Sequence, residues 1–96
     1  MDRREFIARF LDDWLPMRLV VEQVAHQLNC TVEGVYVLTR IRMLRTLGHP
    51  PRNGTKYYAR DYILALAEDE AWLARMSDAL VKYKWDKNHG AVREEP

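Results

Sequence analysis

Val21-Glu22-Gln23-Val24-Ala25-His26-Gln27-Leu28-Asn29-Cys30-Thr31, followed at a distance by Val35 and Leu38, is the stretch on which the fold turns. Val21, Val24, Ala25 and Leu28 recur at three- and four-residue spacing and share a face, while Glu22, Gln23, His26 and Gln27 lie off it. That spacing predicts a short amphipathic helix over 21–28. Asn29 comes next, and after glycine asparagine best tolerates the left-handed backbone of a tight turn. Thr31 can cap a second helix, with Val35 and Leu38 as its buried positions, ending around Thr39 to Arg42. Two short helices cross closely only where a small residue sits at the contact, and Ala25 supplies it, with Val24, Leu28, Val35 and Leu38 around it.

Outward from this centre, Phe6, Ile7, Phe10, Leu11 and Trp14 form one apolar face, so an amphipathic helix is expected over 2–15. Asp2 and Glu5 form its start signal and Pro16 its stop. On the other side, Pro50-Pro51-Arg52-Asn53-Gly54 is a turn signal. The flanking runs, 44–47 and 55–58, are expected to pair as a β-hairpin with a loose tip. Of the adjacent Tyr57 and Tyr58, one is expected on the core. From Arg60 the pattern is helical again. Tyr62, Ile63, Leu66 and Ala67 suit a short helix, and Asp69 can cap a longer one carrying Trp72, Leu73, Met76, Leu80 and Tyr83 along one side. Asn88-His89-Gly90 reads as its stop, which leaves 89–96 as a disordered tail and 1–88 as a single domain.

Charge is segregated. From Gly34 to Arg60 there is no Asp or Glu, whereas Arg40, Arg42, Arg45, Arg52, Lys56 and Arg60 are cationic. A formal net charge of +1 therefore hides a basic middle between acidic ends. Attraction to a polyanion depends on the local patch more than on the total. No apolar run approaches the ~20 residues that span a bilayer. The first residues, Met1-Asp2-Arg3-Arg4-Glu5, lack the apolar stretch of a secretory signal, so a soluble, cytoplasmic protein is expected. The lone Cys30 has no partner for an internal disulfide and agrees with a reducing compartment.

The stretch Val20 to Thr31, with Val35-Tyr36 after it, resembles the helix-turn-helix of excisionase-like and MerR-like DNA-binding domains. The resemblance covers Leu19 to Leu66. It implies a mainly α fold, a winged helix-turn-helix whose short β-hairpin wing spans 44–58, with further helices on either side. Arg60-Asp61-Tyr62-Ile63 would open the helix after the wing. The sequence departs from the family where Asn29 replaces a turn glycine, where Arg42 replaces the glycine after the second helix, and where the wing is longer and carries Pro50 and Pro51. The resemblance implies that the second helix enters the major groove of duplex DNA, N-terminal part leading. Thr31, Val32, Glu33, Tyr36, Val37 and Arg40 would then face the bases and nearest phosphates. Arg40 suits a guanine edge or a phosphate, Tyr36 a phosphate, and Val32 or Val37 a thymine methyl. Arg42, Arg45, Arg52, Asn53 and Lys56 would be wing and backbone contacts. Glu33 is the awkward member, since a carboxylate near phosphates repels unless it accepts from cytosine.

Catalysis is not expected. His26, His49 and His89 are scattered, and none stands at metal-ligand spacing with Cys30. Cys30 occupies a turn position that suits a small buried side chain. Glu68-Asp69-Glu70 reads as a helix cap and solvated face. No phosphate-cradling glycine loop or nucleophile elbow is present, so neither cofactor nor metal is expected. The expected partner is double-stranded DNA, in transcription regulation or site-specific recombination, with a homodimer through the C-terminal helix as an option the MerR likeness raises. The alternative from another class is a protein-interaction module on the same scaffold, with Tyr36 and Val37 as its surface.

Overall fold

The computed structural model describes residues 15–93, so the helix expected over 2–15 lies, but for Leu15, outside the described residues. Within them the chain is mainly helical with one small antiparallel sheet. In chain order the elements are β1 (Arg18–Leu19), α1 (Val21–Leu28), α2 (Val32–Arg40), β2 (Tyr58–Ala59), α3 (Arg60–Ala67) and α4 (Glu70–Arg93). The two strands pair with Arg18 opposite Ala59 and Leu19 opposite Tyr58.

The joint between α1 and α2 follows from local chemistry. Gln23 Oε1 accepts from the Val20 N–H at 2.9 Å, closing the open start of α1. Asn29 takes the left-handed conformation at φ 54°, and the Cys30 N–H donates back to the Ala25 carbonyl at 2.9 Å. Thr31 Oγ1 accepts from the Gly34 N–H at 3.0 Å and caps α2. Val21, Val24, Ala25 and Leu28 are buried on α1, and Val35 and Leu38 on α2. Two residues past the end of α2, Arg42 stands at φ 68°, the left-handed region that a glycine would occupy most easily.

The segment after α2 differs from expectation. The runs 44–47 and 55–58 form no ladder; one bond, Leu47 N–H to the Tyr57 carbonyl at 2.8 Å, joins them. β2 pairs instead with β1, far upstream. The physical reasons are local. Leu44 is drawn into the core at 2 % exposure, and Pro50 and Pro51 have no N–H to give a ladder. The turn signal closes on itself, with the Gly54 N–H donating to the Pro51 carbonyl at 2.9 Å.

Leu19, Val24, Val35, Leu38, Tyr58 and Ile63 are fully buried where α1, α2 and α3 meet, and Trp72 and Met76 cover them from α4. Tyr58 is thus the core tyrosine. Its hydroxyl lies 2.7 Å from Thr39 Oγ1, and Thr39 spends its own proton on the Val35 carbonyl at 2.8 Å. Tyr58 is therefore the donor, and burial pushes its pKa up. Asp69 Oδ1 accepts from the Trp72 N–H at 3.0 Å and starts α4. That helix passes the stop expected at 88–90 and runs to Arg93, because Asn, His and Gly lower helix propensity by only about 1 kcal/mol or less each, unlike proline. No helix among the described residues is long and apolar enough to cross a membrane.

Candidate nucleic-acid interface

Capping and packing together decide what α2 shows to solvent. With Gly34, Val35, Val37 and Leu38 turned inward, the exposed face carries Val32, Tyr36 and Arg40, one helical turn apart. Val32 and Tyr36 are 37 % and 44 % exposed. Val37 does not belong to this face. It is 3 % exposed, so no thymine methyl can reach it. Thr31 is exposed, with its oxygen engaged in the cap.

Glu33 is also on the surface but is not idle. Lys87 Nζ donates to its Oε2 at 2.9 Å, and the Tyr83 hydroxyl reaches the same oxygen at 3.4 Å. Both partners come from α4. The Lys87 ammonium holds the Glu33 carboxyl below its ordinary pKa, and Glu33 in turn raises that of Lys87. Gly34 faces α4 there: an added Cβ would meet Leu80 at an ordinary contact distance of 3.5 Å and would crowd the capping Thr31 Oγ1 at 3.3 Å. Burial raises the pKa of the neighbouring Cys30, which keeps it a thiol packed beside the core.

The basic segment wraps past the other end of α2. Arg42, Arg45, His49 and Lys56, with Thr39 and Thr46, line an open groove of about 610 Å³. Lys56 also borders a second hollow of about 390 Å³ with Tyr36 and Asn53, and Glu22 stands on that rim. The two hollows share Lys56, so the exposed face of α2 continues into the groove. Arg52 is exposed in the Pro51–Gly54 turn and lines neither.

Aromatic rings hold several of these cations. The Arg45 guanidinium lies 4.5 Å from the centre of the Tyr62 ring and the Lys56 ammonium 5.8 Å from that of Tyr36. Arg18 covers Tyr57 in the same way at 4.3 Å. Among the described residues, Arg60 pairs with Asp61 and Lys87 with Glu33; Arg40, Arg42, Arg45, Arg52 and Lys56 pair with no carboxylate.

Sequence reasoning missed Arg18, His49, Lys84 and Lys87. His49 does lie inside the acid-free segment, which was its available signal. Arg18 and the two lysines lie outside it, and only the fold sets Arg18 over Tyr57 and brings Lys84 and Lys87 to the cleft beside α2. No family model, curated protein or solved structure matches the chain.

Proposed function

We propose that the protein binds duplex DNA, using α2 as the recognition helix of a winged helix-turn-helix and the segment over 44–58 as its wing, in transcription control or site-specific recombination rather than in catalysis. One observation carries this reading: Lys56 joins the hollow beside Tyr36 to the groove of Arg42 and Arg45, and among the described residues none of these cations, nor Arg40 on the same helix, forms an ion pair with a carboxylate, although Glu22 borders the first hollow. An α-helix about 10–12 Å across fits a major groove about 12 Å wide. Val32, Tyr36 and Arg40 would meet base edges and the nearest phosphates, and Arg42, Arg45, Arg52, Asn53 and Lys56 the backbone.

Fluorescence anisotropy with a random-sequence duplex tests it. At ~50 mM salt, micromolar association is expected, weakening with a log–log salt slope of about −3 to −4 if some four phosphates are neutralised. Arg40→Glu or Lys56→Glu should abolish it. The second reading, a protein-interaction module, draws on Val32, Tyr36 and Ile41, which are 37 %, 44 % and 48 % exposed. Absence of duplex binding at that salt concentration would favour it.

A further inference from the structure

At the N-terminal end of α2, α4 runs past the Asn29-Cys30-Thr31 turn and leaves a cleft of about 480 Å³. Asn29, Thr31 and Gly34 line it from the turn and α2, and Leu80, Lys84 and Lys87 from α4. Both lysines are exposed. They differ in one respect: the Lys87 ammonium is committed to Glu33 at 2.9 Å, whereas Lys84 pairs with no carboxylate among the described residues.

We infer that this half of α4 is a second phosphate-contacting edge for the duplex, in which Lys84 meets the backbone and Lys87 neutralises Glu33 on the exposed face of α2. The inference rests on the DNA-binding reading and adds to it a contact from α4 beside the N-terminal end of α2. Glu33 is the carboxylate that α2 itself contributes to its solvent side. Left alone within a Debye length of phosphates it would repel them, since about 8–10 Å of salt solution is needed to screen it. Lys87 and the Tyr83 hydroxyl converge on the oxygen that would do so. Lys84 stands one turn back along α4, which leaves its charge available to an external anion.

The test uses the full chain and the random duplex across a salt series. Lys84→Gln should reduce affinity several-fold and flatten the log–log slope by about 0.9, one phosphate's worth. Lys87→Gln, which bares Glu33, should weaken binding roughly tenfold, about 1.4 kcal/mol. Glu33→Gln alone should tighten it, and Glu33→Gln combined with Lys87→Gln should recover most of the loss. If wild type binds the duplex but Lys84→Gln leaves affinity and slope untouched, the edge is refuted while DNA binding stands. A Lys87→Gln loss that Glu33→Gln does not recover would refute the neutralising role. A Lys87→Gln protein that only melts earlier, with unaltered binding, would show the pair to be a tether of α4 and likewise refute it. Failure of the wild type to bind overturns both readings together.

Discussion

Arg42 sits at φ 68° with a long cationic side chain, in a conformation that costs a non-glycine residue roughly 1 kcal/mol or more. Glycine relieves that strain but loses more backbone freedom on folding, so the two effects partly cancel. Arg42→Gly is expected to stabilise the fold by about 0.5–1 kcal/mol in urea denaturation while weakening duplex binding, since a groove cation is lost. Destabilisation by this change would mean that the side chain contributes packing its exposure does not suggest. At this scale the sequence was readable where one residue type answers one local need. Asn29 takes the left-handed turn and Thr31 caps the next helix. It was unreadable where neighbours decide. Val37 and Tyr36 adjoin in the chain, yet the rotation of α2 in its packing on α1 and α4 leaves one buried and the other exposed. Glu33 looked repulsive because its cation is supplied from Lys87, far along the chain.

Among the elements, α1 and α2 carry the tightest demand. Ala25 is 6 % exposed inside the core that these helices share. Ala25→Leu adds volume where none is free and should cost about 1–3 kcal/mol by thermal or chemical unfolding. Wild-type stability would show that the helices meet elsewhere. The helices were legible because their apolar residues repeat over eight residues or more, long enough for a period to declare itself. β1 was not. Two residues, Arg18 and Leu19, are too few to alternate, and their partner lies at 58–59. The wing signal was half true: Asn53-Gly54 does turn the chain, but the core's claim on Leu44 and Tyr58 settles which strands pair. α4 overran its apparent stop because a helix end without proline is only a gradual loss of propensity.

For the molecule as a whole, the distribution of charge matters more than its sum. α4 contributes to an extended body of 56 × 33 × 19 Å, and the acid-free stretch from Gly34 to Arg60 concentrates cations while the acids lie elsewhere in the chain. A ligand that binds only the folded chain stabilises it by mass action. Duplex DNA at about 100 times its dissociation constant should add about 2.7 kcal/mol and raise the melting temperature by roughly ten degrees or more, with the rise collapsing at high salt. No shift with duplex in excess would remove DNA as the folded state's ligand. The bond from the Leu47 N–H to the Tyr57 carbonyl has a consequence of its own. It shuts a neck beneath residues 48–56, between Leu44 and Tyr58, which are both anchored in the core. Doubling a loop's length above a closed neck costs only about 0.6 kcal/mol. The tip is therefore an exchangeable cassette: insertions or deletions there can alter how far it projects, and on the proposed function how far it would reach along a duplex, at little cost to what lies below.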